Sequence, residues 1–325
     1  MANGSHAYEV VVLGSSNLDL VASVERLPSP GETVLGTNYA EHAGGKGLNQ
    51  AVACRRAGAD TAFITSLGTD PAGETLHRLM TSEGIAAYVT DHEGPTGRAL
   101  ISVDEQGENS IVVIPGANAE LSISVVDAHR DVISRAGVLL CQLEVPLDAV
   151  EAALAIAKVG GARTILNPAP ATRLNRSVLQ LCDVVMPNQH EVALLGGATS
   201  LLEAGVSIVV ITLGARGIKI VTSEGELQIP PFAVRAIDTT GAGDAACGAL
   251  ATALAHGSDI TTAARRASKR RARPGRALHA GRRSPRPPNS GIPRFFVVRR
   301  EWGSQVKWTS QYRTLNLPSR PEDRC

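Results

Sequence analysis

The 325-residue sequence predicts an α/β fold: a doubly wound, mainly parallel sheet flanked by helices, with a small antiparallel β lid. Three observations predict it. Continuously apolar, β-branched runs alternate with alanine-rich segments at helical spacing from Tyr8 to His256, the pattern of a parallel sheet covered on both faces. Two stretches, 33–45 and 96–118, interrupt that rhythm with antiparallel alternation. Polar residues recur at the ends of several strand candidates, where open α/β sheets build their sites.

In chain order, YEVVVLG (8–14) is the first strand, and GSSNLDL (14–20) sets Asn17 and Asp19 at its carboxyl end. TVLGTNYAEHAGG (33–45) reads as antiparallel β, GLNQAVACRRAG (47–58) as a helix and TAFITSLG (61–68) as a strand. TGRALISVDEQGENSIVVIPGAN (96–118) is a hairpin turning near Glu105 to Glu108. VISRAG (132–137) and PLDAVEAALAIAKVG (146–160) are helices around the strand GVLLCQLE (137–144). RTILNPA (163–169), DVVMPN (183–188) and SIVVITLG (207–214) are further strands, and PFAVRAID (231–238) feeds a helix that begins near Ala242.

Composition narrows the class. A chain of this length with 43% apolar residues buries enough surface to need no disulfide or metal staple. Its five cysteines, Cys54, Cys141, Cys182, Cys247 and Cys325, are odd in number and form no CxxC pair, as in a reduced, cytoplasmic protein without a zinc site. The N-terminus lacks a basic segment followed by an apolar stretch, and no run approaches ~18 apolar residues, so neither export nor membrane spanning is expected. The net charge of +1 conceals an asymmetry: residues 264–325 hold 17 of the 32 Lys and Arg but 3 of the 31 Asp and Glu. The expected organisation is a disordered N-terminus over 1–7 and a folded domain over 8–263, with lid segments at about 16–43 and 96–118. A basic, proline-rich tail follows over 264–325, too charged to pack.

The densest chemistry lies in DTTGAGDAACG (238–248). Its glycines let successive backbone N–H groups point at one spot, and a helix starting there adds partial positive charge, so an anion is the natural occupant. Three readings compete. Asp238 or Asp244 is a cap in a structural turn; GAGDAA belongs to a dinucleotide fingerprint, although no second strand ending in an acidic residue follows about 20 positions on; or a phosphoryl group is transferred with Asp244 as base. AGGKGLNQA (43–51) offers Lys46 and Asn49 at another helix N-terminus, and it is not a Walker A loop, because GxxxxGK[ST] occurs nowhere. QLE (142–144), NPAP (167–170), PNQHE (187–191) and ITLGARG (211–217) each end a strand candidate.

Taken together, GSSNLDL, LPSPGETVLGTNY, GGKGLNQAVA, GENSIVVIPGAN, CQLEVP, LNPAPA, PNQHEVALL, ITLGARG and DTTGAGD resemble, in order, the ribokinase-like carbohydrate kinases over about residues 8–260. The resemblance implies ATP-dependent phosphorylation of D-ribose at its 5-hydroxyl, with Mg²⁺ and a K⁺ activator. Asp244 would be the base, and the amides of Gly241, Ala242 and Gly243 would stabilise the transferring group. Asn17, Asp19, Gly44, Gly45, Lys46, Asn49, Glu144 and Asp244 would bind the sugar. Asn188, Thr212, Leu213, Gly214, Ala215, Arg216, Gly217, Gly243 and Asp244 would line the nucleotide site. Asn188 and Glu191 would hold Mg²⁺ through water, and Asp238 and Thr240 would hold K⁺. Lid strands pairing between subunits would give a homodimer. The alternatives are a kinase of another sugar or nucleoside, or an inactive product whose basic tail binds nucleic acid.

Two departures from the family pattern stand out. A helical insertion between Gly197 and Val206 is reduced to ATSLLEAG, a change expected to touch stability rather than chemistry. From about Ala264 the segment that would complete the adenine pocket and the cation site is replaced by the basic tail, for which a shifted reading frame over GC-rich codons is the preferred explanation.

Overall fold

The computed structural model describes residues 6–231 and 241–271. Strand β1 (Tyr8–Leu13) opens the core and the chain passes at once into β2 (Asn17–Val24) and β3 (Gly36–Gly44). Helix α1 (Lys46–Ala57) returns it to the core strand β4 (Thr61–Gly68), followed by α2 (Pro71–Glu83) and β5 (Ala86–His92). A second excursion makes β6 (Gly97–Val103) and β7 (Asn109–Ile114). Helices α3 (Ile123–Ala128) and α4 (Arg130–Ser134) precede β8 (Ala136–Cys141), α5 (Leu147–Gly160), β9 (Arg163–Leu166) and α6 (Arg176–Gln180). Then come β10 (Val184–Val185), α7 (Gln189–Leu194), α8 (Ala198–Ala204), β11 (Ile208–Thr212), β12 (Ile218–Thr222) and β13 (Gly225–Ile229). Helices α9 (Ala242–Ala255) and α10 (Ile260–Arg271) close the described chain.

Two sheets result. The larger has the order β13-β12-β11-β10-β9-β8-β1-β4-β5, parallel from β5 to β11, with β12 and β13 added antiparallel. Successive residues of β1 divide between two cores: Val10 and Val12 pack with α1, α9 and α10, whereas Val11 and Leu13 pack with α3, α5 and α8. A strand buried on both faces must be apolar at every position, which is why these segments read as continuous runs. Strand order reverses at β1, between β4 and β8, so the crevice at the carboxyl ends of β1 and β8 is the topological switch point where such sheets bind ligands. The smaller sheet, β3-β2-β6-β7, consists of two antiparallel ribbons joined by the parallel β2–β6 pair, and it holds the two expected lid segments.

Several boundaries differ from the sequence expectation. The strands ending in QLE, NPA and MPN stop early, at Cys141, Leu166 and Val185, because the polar residues that follow leave the ladder to enter the site. VISRAG is helical only to Ser134, and Ala136 already belongs to β8. Helix α2, strand β5 and the β12–β13 hairpin were not anticipated. The strand candidate PFAVRAID lies, after its first residue, outside the described residues. Helix α8 keeps two turns, buries Leu201 and ends on Gly205, so the shortened segment is still a packed element.

The composition break at Ala264 does not break the packing. Ile260, Ala263, Ala264 and Ala267 follow the i, i+3, i+4, i+7 spacing of a helix face, and all three alanines are fully buried while Arg265 and Arg266 are exposed. An apolar stripe written in alanine is easily masked by the arginines between its members. Among the described residues no helix is long and apolar enough to cross a membrane.

Helices α1 and α9 cross at unusually short range. A Cβ placed on Gly248 would lie 2.5 Å from the Cβ of Ala53 and 2.8 Å from the Cys54 amide nitrogen. Thr252 Oγ1 donates to the Cys54 carbonyl at 3.3 Å just beyond the contact. Gly248→Val must separate the helices, and overpacking of this kind lowers the Tm by about 5 °C or more. Thermal melting of the variant beside the parent checks this; an unchanged Tm would show that the crossing is not tight.

Candidate active site

Asp244 occupies the first turn of α9, behind the N-cap Gly241. Its carboxylate is 8% exposed. Oδ2 accepts from Asn49 Nδ2 at 3.1 Å and Oδ1 from Gln50 Nε2 at 2.9 Å, both side chains belonging to α1. Ala245 N donates to the Gly241 carbonyl, so the helical ladder begins there, and the amides of Ala242, Gly243 and Asp244 fall among those without an acceptor inside the helix. A Cβ on Gly243 would meet nothing within 4 Å, so packing does not require the glycine; it leaves open space against the helix end. That space continues into a cleft lined by Gly241, Ala242, Gly243, Asp244, Lys46, Glu191 and others, including Asn188 and Thr212.

The second helix N-terminus is placed by glycine geometry. Gly45 has φ +87°, and a Cβ on it would lie 2.8 Å from the Asn17 nitrogen and 2.9 Å from the Ser15 carbonyl. Only glycine allows β3 to turn into α1 this close to the segment between β1 and β2. Glu144, just beyond β8, accepts from the Lys46 amide at 2.9 Å and from Ser15 Oγ at 2.6 Å, which ties the ends of β1, β8 and α1 together at the switch point. In the lid, Asn17 pairs with Gly44 and Asp19 with His42 across β2 and β3. Asn17 Oδ1 accepts from Asn118 Nδ2 at 2.8 Å, and Asn118 also holds both backbone polar groups of Ser16.

Asn188 and Glu191 form a reciprocal cap at the start of α7. The Asn188 side chain accepts from the amides of His190 and Glu191, and Glu191 Oε2 accepts from the Asn188 amide at 2.7 Å. Thr212 reaches this cap through a bridge to Asn188. Leu213, Gly214, Ala215, Arg216 and Gly217 form the tight turn that follows, and of this group only Thr212 lines the cleft. Asp238 and Thr240 lie outside the described residues.

Electrostatics bind the parts together. Burial pushes the Asp244 carboxyl up, against Lys46 and the Gln50 and Asn49 donors, which pull it down. Asp19 is pushed up to about 7, first by burial and then by the charges of Glu144 and Asp244. Burial also raises Glu191. On Lys46 burial acts downward, but the carboxylates of Asp244, Glu144 and Glu191 together outweigh it and the ammonium is held above its ordinary value. Among the described residues no group of three or more His, Cys, Asp or Glu side chains forms a metal cage.

Residues 7–270 match the family described as pfkB family carbohydrate kinase. The chain belongs to that family. This kinase is 42% identical over 261 residues to the bifunctional ribokinase/ribose-5-phosphate isomerase A of Fructilactobacillus sanfranciscensis, covering 76% of the present chain and 48% of that protein. It therefore spans about half the length of that relative. It is 42% identical over 259 residues to the ribokinase of Haemophilus influenzae, covering 75% and 85% of the two chains. The crystal structure of the Thermotoga maritima ribokinase superposes with a TM-score of 0.74 at 35% identity, over 81% of this kinase and 91% of that chain.

Several groups of the site had no assigned role in the sequence reading: Ser15, Gln50, Asn118, Gln142 and Asn167. All lie inside or beside the quoted motifs, and burial of a polar side chain, invisible in sequence, is what distinguishes them. Asp19 provides a stability test of the charge cluster. Its folded value of about 7 lies above its ordinary 3.8, so the folded protein binds the extra proton between those limits; that contribution is complete below about pH 4 and lost as pH rises through 7. Asp19→Asn removes the penalty, and its Tm relative to the parent should therefore rise between pH 5 and pH 8, by about 3 °C after discounting for solvent. A difference that is flat across this range would remove Asp19 from the buried cluster.

Proposed function

We propose that this kinase transfers the γ-phosphoryl group of ATP to the 5-hydroxyl of D-ribose, giving ribose 5-phosphate and ADP. The observation that carries the reading is Asp244: a buried carboxylate, fixed by two amide donors, beside helix amides that have no acceptor within α9 and facing a cleft. A carboxylate next to an anion site would only repel a resting phosphate; as a base it takes the proton of the attacking hydroxyl. The sugar oxygen then bonds to the γ-phosphorus in line as the bond to ADP breaks, and the amides at Gly241, Ala242 and Gly243 receive the charge spread over the transferring group.

The remaining roles are those the family resemblance implies, and the positions of the described residues support them. Asn17 and Asp19 on the lid, Gly44, Gly45, Lys46 and Asn49 at the turn into α1, and Glu144 at the switch point surround the position of a small polyol. Thr212 and the turn Leu213 to Gly217 border the nucleotide, with Asn188 and Glu191 near the waters of its Mg²⁺. Asp238 and Thr240, which lie outside the described residues, are the residues proposed to hold K⁺. Leu100, Ile111, Val112, Val113 and Ile114 are exposed on the lid, which supports a homodimer through that sheet. Cytoplasmic residence accords with Cys54, Cys141, Cys182 and Cys247 being buried free thiols.

The purified chain should release ADP from ATP when D-ribose is added, faster with K⁺ than without it, and more readily than with other pentoses, ketohexoses or nucleosides. Absence of ribose-dependent release would overturn the reading. Asp244→Asn should reduce turnover at least ~10²-fold with ATP binding retained, as measured by coupled assay and calorimetry; an active variant would exclude Asp244 as the base.

A further inference from the structure

Gln50 is completely buried and does not line the cleft, yet it touches the proposed base. One Nε2 proton goes to Asp244 Oδ1 at 2.9 Å and the other to Asn167 Oδ1 at 3.0 Å, while its Oε1 accepts from Gln142 Nε2 at 2.7 Å. An amide can be reversed in principle, so the direction of this chain needs a fixed end. Asn167 supplies it: its Nδ2 donates at 2.9 Å to the Met186 carbonyl, which can only accept. Asn167 Oδ1 must then face Gln50, and Gln50 must present its NH₂ to both Asn167 and Asp244. The far end carries the cost, since Gln142 Oε1 is buried without a partner. Rotating the Gln142 amide would set two oxygens against each other at Gln50, so an unsatisfied acceptor persists where the direction of the chain requires it.

We infer that Gln50 is a positioning residue that holds the Asp244 carboxylate charged and correctly turned, its own orientation imposed by Asn167 and Gln142. This rests on Asp244 being the base. The charged or titratable groups facing Asp244 are Lys46 of α1, Asp19 of β2, Glu144 beyond β8, Glu191 of α7 and Cys247 of α9. Of these only Lys46 favours the ionised form, and Lys46 is shared with the other carboxylates. Asn49 is the second donor, but it stands among the sugar-binding residues, whereas the bond from Gln50 is insulated from substrate.

The test is the ionisation of Asp244 in Gln50→Leu, which keeps the bulk and removes the donor. In the full chain, the Asp244 carboxyl ¹³C resonance, assigned by its loss in Asp244→Asn, should titrate at least about one pH unit higher in the variant than in the parent. The acid limb of kcat for ribose phosphorylation should move by the same amount, with KM for ATP unchanged. A titration midpoint that stays in place, or a kcat lowered equally at every pH, overturns the inference. If Gln50→Leu does not fold, Gln142→Leu is read in the same way, with a smaller shift in the same direction. An active Asp244→Asn would instead remove the base assignment itself, a result distinct from an unmoved midpoint in a protein whose Asp244→Asn form is dead.

Discussion

The crossing of α1 and α9 at Gly248 is the contact on which the site depends. Gly248 lets the α9 backbone come against Ala53 and Cys54, and the alanine-rich face of α9 keeps the approach close along its length. With the two axes drawn together, side chains as short as asparagine and glutamine reach from one helix to the Asp244 carboxylate on the other. A larger residue at the crossing would lengthen both of those bonds at once, whatever it did to the rest of the core. Small residues in these helices therefore define a distance, and the distance selects which chemistry is within reach.

The same closeness concentrates charge. Asp19, Glu144, Glu191 and Asp244 come from four different elements and act on a single ammonium, Lys46. Desolvation disfavours the ionised forms of Asp19, Glu191 and Asp244, and repulsion from neighbouring carboxylates adds to it. Fixed donors oppose that cost, the Asn188 amide on Glu191 and Asn49 and Gln50 on Asp244, while Glu144 accepts from Ser15 and the Lys46 amide. Among the described residues no donor set of this kind meets Asp19, which is displaced to about 7. A polyol is suited to this environment, because hydroxyls donate to carboxylates without adding charge.

The fold was legible to the extent that it rests on pattern. Apolar runs gave the core strands of the parallel sheet, and the two interruptions gave the lid, since both follow from which faces are buried. What depends on small residues was not legible: α10 is held by Ala263, Ala264 and Ala267, which carry little signal among Arg265, Arg266 and Lys269. The site behaved in the same way. Asp244, Lys46, Asn49 and Glu144 stand out because charge or a glycine-rich setting marks them. Gln50, Gln142 and Asn118 look like ordinary polar residues until burial shows that each must have partners. Glu191 was legible both as a polar strand-end residue and as a helix cap, and the geometry adds that the cap is reciprocal with Asn188.

The lid is coupled to the helix that carries Asp244. Asn17 and Asp19 are two residues apart on β2 and so share one face of the small sheet, while Asp244 sits on a helix packed against the large one. The covalent connection between them is short: β3 ends at Gly44, α1 begins at Lys46, and Asn49 and Gln50 follow within its first turns. A shift of the lid must therefore be transmitted through Gly44 and Gly45 to the helix that fixes Asp244. Asn118 connects the opposite corner, because it binds Ser16 and Asn17 where β1 passes into β2. With both corners pinned, the positions of Asn17 and Asp19 and the orientation of Asp244 vary together, so under the proposed roles a correctly seated sugar and a correctly oriented carboxylate are one structural condition rather than two.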